Sequence, residues 1–117
     1  MVVLKIDNKG INRIRDLLAT ELINGELGTE NIKPSETDIG LITPITATIV
    51  ALTYTTFSGG VIHTYVLDNA TGLNQTYKEL ALLDSNSNEF CRIVFSDYAH
   101  DSSKELTIKV RTFIENG

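Results

Sequence analysis

The chain has 117 residues, 42% of them hydrophobic and 21% charged, with a formal net charge of −5. That is the size of one domain, 1–117, built on a single core, and no apolar run reaches the ~18 residues of a membrane span, so a membrane partner is not expected. The acidic excess opposes nucleic-acid binding, because that affinity comes largely from Lys and Arg displacing counterions from phosphates.

The opening Met1-Val2-Val3-Leu4-Lys5-Ile6-Asp7 has a short apolar patch broken by Lys5. It lacks a basic n-region, a long h-region and a small-residue cleavage site, so a standard signal peptide is not expected. Next, Ile11, Ile14, Leu17, Leu18 and Leu22 recur at helical spacing. The spacing predicts an amphipathic helix over about 9–24, with Arg13, Arg15, Asp16 and Glu21 turned to solvent. Asp7 or Asn8 is placed to cap its start and Gly25 to end it.

From 26 to 44 the periodicity fails, and Gly28, Pro34, Ser35, Asp38, Gly40 and Pro44 supply turn chemistry. The segment reads as a long crossing loop. Its apolar residues Leu27, Ile32, Ile39, Leu41 and Ile42 are expected to pack against protein, and a loop of this length is uncommon unless a neighbour orders it. They are candidate assembly contacts.

Residues 45–57 then alternate with period two and are rich in β-branched side chains, which predicts one long strand. Its face bearing Val50, Leu52 and Tyr54 adds three further candidate contacts. Ser58-Gly59-Gly60 reads as a tight turn into a return strand at 61–67, as a hairpin or as a bent strand crossing between sheets. Further strands are predicted at 77–84, 88–96 and 103–114, separated by Ser85-Asn86-Ser87 and by a longer turn over 97–102. The last strand puts Leu106, Ile108, Val110, Thr112 and Ile114 on one face and Thr107, Lys109, Arg111 and Phe113 on the other. One helix followed by five strands over 45–114 defines a mainly β fold: an antiparallel β-sandwich, or a single curled sheet with the helix across it.

Residues with chemical potential are few. The two histidines, His63 and His100, have no second His or Cys at metal-ligand spacing, and His63 alternates with Val61 and Tyr65 as a strand residue does. Asp97, Asp101 and Glu105, with Ser96, Ser102 and Ser103, offer oxygens for Ca²⁺ but lack EF-hand spacing. Cys91 is the single cysteine and lies in an apolar run, the setting of an inert buried thiol. Gly59-Gly60 is not followed by the Lys-Ser/Thr of a phosphate cradle. Asn69-Ala70-Thr71 and Asn74-Gln75-Thr76 match the glycosylation tripeptide, which bears only on secreted proteins. No catalytic residue, cofactor or metal is expected. A carbohydrate-binding module needs aromatic platforms, and the chain offers no Trp; Tyr77 and Tyr98, close to predicted loops, keep that alternative open.

The order of short motifs resembles a family of small structural proteins of tailed phages and prophages, described as tail-fibre-like or baseplate-associated. The resemblance is carried by Leu17-Leu18-Ala19, Gly28-Thr29, Pro34-Ser35-Glu36-Thr37-Asp38, Leu41-Ile42-Thr43-Pro44, Glu79-Leu80-Ala81-Leu82-Leu83-Asp84, Cys91-Arg92-Ile93-Val94-Phe95 and Leu106-Thr107-Ile108-Lys109-Val110, over about residues 10–114. The chain departs from the family pattern at Leu80-Ala81-Leu82, where the family has Ala-Gly-Leu, and at Gly28-Thr29-Glu30, where it has Gly-Thr-Gly. The aromatic of the family's last strand is also missing. The resemblance implies a non-enzymatic virion protein of the tail or baseplate, assembled in the host cytoplasm, whose partners are other virion proteins and copies of itself in a trimer or hexamer. The alternative placement is a capsid decoration or head-fibre protein.

Overall fold

The computed structural model describes Val2 and residues 4–30, 44–68, 74–101 and 103–115. The fold is mainly β, with two antiparallel sheets and one helix ahead of them.

Helix α1, Asn8–Glu21, starts at Asp7, whose carboxylate accepts from the Gly10 amide at 2.8 Å. It ends with Leu22 as its C-cap, two residues before Gly25 could close it, and Gly25 instead lies within strand β1, Asn24–Gly28. The buried stripe is also rotated from the one the spacing predicts. Ala19 and Leu22 are buried and Leu18 packs against the core, while Ile14 and Leu17 are exposed. Arg15 is correspondingly not a solvent residue: its guanidinium donates to the Phe57 carbonyl at 3.0 Å, and Asn12 accepts from the Gly59 amide at 3.1 Å. These two bonds pin the helix to the β3–β4 turn described below, which fixes its rotation.

Strand β1 corrects the expectation of a loop beginning at 26. Asn24-Gly25-Glu26-Leu27-Gly28 has the composition of a turn, yet the glycines serve packing. A β-carbon at Gly25 would stand 2.6 Å from the Tyr65 ring, and one at Gly28 would collide with the Glu79 carboxylate. Most of the expected loop, 31–43, lies outside the described residues, and the described chain resumes at Pro44, which bridges to Gly28.

The expected long strand over 45–57 is broken into three pieces. Thr46–Thr48 form a 3-10 turn, Val50–Ala51 form β2 and Thr53–Phe57 form β3. The break is held by Thr48, whose hydroxyl accepts from the Leu27 amide at 2.8 Å and donates to the Ile45 carbonyl at 2.6 Å. A side chain thus occupies the edge of β1 where a strand would otherwise pair. At Leu52, which donates its amide to Ile23, the chain leaves one sheet for the other.

Strand β4, Gly60–Leu67, follows the two-residue turn, where Gly59 takes a φ of +79° that a side chain would resist. Strands β5, Gln75–Leu83, and β6, Glu89–His100, form a long hairpin whose turn is held by Asp84, accepting from the amides of Asn86 and Asn88. β6 continues through Asp97 to His100, where the sequence reads as turn. The turn begins at Asp101, which accepts from Ser103. The final strand, β7, spans Leu106–Phe113, and its even-numbered residues are the more buried, as its alternation predicts.

One sheet has the order β2-β1-β5-β6 and the other β3-β4-β7. Between them lie Leu27, Tyr65, Leu67, Tyr77, Leu80, Leu82 and Leu106, with Leu22 from the helix. β5 is buried on both faces. Leu80 and Leu82 enter this core while Glu79, Ala81 and Leu83 are buried on the opposite face, beside Arg92.

Candidate interaction surface

Because β2 and β3 are one run of chain bent at Leu52, the two sheets are joined along that side. On the other side, among the described residues, they are not: β6 pairs only with β5, and β7 only with β4. The sheets therefore open along a seam between β6 and β7. Its middle is a cleft of about 700 Å³ lined by Ile93, Phe95, Tyr98, Ile108 and Val110, with Lys109 and Arg111 at its rim. Toward the helix lies a second groove of about 570 Å³, lined by Ile14, Leu17, Phe90, Phe113 and Ile114. Around it the Arg111 guanidinium stands 5.5 Å from the Phe57 ring centroid and 5.9 Å from that of Phe113. An exposed cation beside two aromatic rings that pack edge to face, next to an apolar groove, is the composition typical of protein-contact surfaces.

The predicted contact residues are distributed differently. Leu27 is fully buried in the core between the two sheets and cannot meet a partner. Val50 and Leu52 are half-buried and pack against that core. Tyr54 is exposed on β3. Ile32, Ile39, Leu41 and Ile42 lie outside the described residues. The structure brings together a set that the sequence reading passed over: Leu17, Phe90, Ile93, Phe95, Ile108, Val110 and Phe113. Their signal was present in the outward placement of Phe113 on β7 and in the apolar run 90–95, but it named strands without saying which edges stay unpaired.

The ionisable residues are structural in their surroundings. His63 is buried under the helix, its Nε2 lying 3.4 Å from the Ala19 carbonyl, and burial lowers its pKa. His100 is buried beside Tyr77 and Tyr98, with Nε2 2.8 Å from the Lys104 carbonyl. Cys91 packs against the core, and burial together with the nearby Glu89 charge raises its pKa, leaving little thiolate for nucleophilic work. Glu79 and Arg92 form a buried pair, Oε2 to Nε 3.8 Å. Among the described residues no three His, Cys, Asp or Glu side chains converge as metal ligands. Asp97 sits within β6, and Asp101 is engaged by the Ser103 amide and hydroxyl, which lower its pKa. Ser102 lies outside the described residues. Tyr77 is fully buried, so of the two tyrosines named for sugar stacking only Tyr98 reaches the surface. No described helix is long and apolar enough to cross a membrane.

No family model, characterised protein or solved structure matches this chain.

Proposed function

We propose that the chain is a non-enzymatic structural protein of a tailed-virus particle, a tail or baseplate component that assembles with copies of itself and with neighbouring virion proteins. The observation that carries the assembly role is the unclosed seam: among the described residues, two strand edges with no further strand beside them and an apolar slot on the same side of the molecule, where a monomer would normally shield such edges. The motif order quoted above supplies the viral setting. Core packing and hydrogen bonds account for both histidines, the thiol and the acidic turn, so among the described residues the seam is the surface that favours a protein partner.

The test is mass spectrometry and immunogold electron microscopy on purified particles from the source strain. Peptides of this chain with label along the tail or at its tip support the proposal. Label over the head instead places it as a decoration or head-fibre protein, and particles carrying neither peptide nor label refute the virion role.

A further inference from the structure

Five large apolar residues are more than half exposed among the described residues: Val2, Leu4, Leu17, Phe90 and Phe113. Three of them line the helix end of the seam. The other two, Val2 at 94% and Leu4 at 84% exposure, are the most exposed of all and belong to the stretch just ahead of α1. Ile6, half-buried, is seated on the first helical turn, where a β-carbon at Gly10 would stand 2.6 Å from its Cγ2. The stretch is therefore anchored at its helix end, and Val2 and Leu4 fill no slot of their own molecule.

We propose that this stretch of one copy adds as a strand to the free edge of β7 in a second copy, with Val2 and Leu4 entering the slot formed by Ile93, Phe95, Ile108 and Val110. Main-chain pairing along an open edge supplies the affinity, and alternate side chains in the slot supply the specificity. Val2 and Leu4 share one face of an extended strand, so a single register buries both while Ile6 stays on its own helix. Their span of roughly 10 Å fits within the ~26 Å of an eight-residue strand. β7 is the receiving edge because its ladder with β4 runs unbroken from Gly60↔Phe113 to Leu67↔Leu106, whereas β6 shifts register twice against β5, and such irregularities blunt an edge. Donor and acceptor surfaces differ, so the contact is heterologous, giving a ring where the rotation between copies closes and an open array where it does not. This inference rests on the assembly half of the proposed function and is independent of the virion setting.

The test is light scattering on the full chain across a concentration series, paired with amide hydrogen exchange. Self-association is expected, with protection along 106–113 rising as copies associate. Leu4→Glu should weaken association about tenfold or more and remove that protection, because a carboxylate cannot enter the slot. Leu4 is almost fully exposed, so the variant should keep the wild-type thermal midpoint. A synthetic peptide of residues 1–7 provides a second measurement, expected to compete with association in the unmodified chain. A monomer at every concentration, association indifferent to both Leu4→Glu and the peptide, or protection of 106–113 already complete in the monomer overturns the inference. Particles lacking this chain, together with peptide-sensitive association, refute the virion role and leave the inference standing; a monomeric chain found in particles does the reverse.

Discussion

Replacing Thr48 with Val should destabilise the fold by more than its near-identical shape suggests. Thr48 is fully buried, and its hydroxyl is the acceptor for the Leu27 amide, on an edge of β1 that has no strand beyond it at that point. Val removes the acceptor and leaves a buried N–H with nothing to bond, which costs about 1–3 kcal/mol. The bond from the hydroxyl to the Ile45 carbonyl is lost as well, at a smaller cost, since that carbonyl still accepts from the Thr48 amide at 2.9 Å. The added methyl regains part of this through apolar burial, on the order of 0.8 kcal/mol. The net expectation is a loss of about 1–3 kcal/mol, a large share of the stability of a small domain.

Urea denaturation followed by tyrosine fluorescence would measure it, the chain having four tyrosines and no tryptophan. Thr48→Ser is the control: it keeps the hydroxyl and loses only a methyl, so it should cost about 1 kcal/mol or less. The Tyr65 hydroxyl, which donates to the Thr48 carbonyl at 2.6 Å, is unaffected by either change and keeps the turn in place. A Val variant as stable as the wild type, or a Ser variant less stable than the Val one, would sink the claim that a side chain substitutes for strand pairing here.

Three other predictions concern buried polar groups. His63 has a pKa lowered by burial, so in acid the unfolded chain gains a proton that the folded one resists. Stability should therefore fall as pH drops below about 6.5; Glu26, whose pKa burial raises, works in the opposite sense in the carboxylate range, so the check is whether His63→Gln flattens the wild-type profile between pH 7.5 and 5.5. Arg92→Leu leaves the buried Glu79 carboxylate without its cation and should cost about 3–5 kcal/mol, read from the urea midpoint, whereas replacing both residues with apolar ones should recover much of that loss. Cys91 should react with a disulfide reagent at pH 8 at least tenfold more slowly in the native protein than in urea, and equal rates would contradict the packing assigned to it.

How far the fold could be read ahead of the structure followed from how local each determinant is. The four strands from Val61 onward announced themselves because alternation is a property of neighbouring residues, and the Asp7 cap because its partner is three residues away. Strand β1 did not, because its glycines are explained by Tyr65 and Glu79, side chains brought near only by the finished fold. The broken strand at 45–57 was hidden for the same reason: its pattern was correct for β2 and β3 taken separately, and the interruption depends on a bond from Thr48 to Leu27, 21 residues away. The helix was predicted correctly in kind, but its rotation was set by Arg15 reaching Phe57, a contact that spacing alone does not contain. Among the candidate contacts Leu27 was misplaced, since an apolar residue reads the same whether it faces the core or a partner.

That last ambiguity has a physical resolution in the topology. A β-sandwich whose sheets were joined on both sides would hide every backbone edge, and its outward apolar residues would be scattered singly, a pattern that needs no explanation. Here a bent strand joins one side, where Ile23, Ile49 and Tyr54 are exposed, while Leu17, Phe90, Tyr98 and Phe113 line the other, where among the described residues β6 and β7 have no further strand beside them. Unpaired edges and apolar exposure in the same place raise the free energy of the isolated molecule in two independent ways, and a single added strand relieves both at once. Val2 and Leu4, ahead of α1, have the complementary deficiency, apolar side chains without a core. A chain that carries both an open seam and an unburied apolar stretch holds the two halves of the contact proposed for association, and the Leu4→Glu variant separates them.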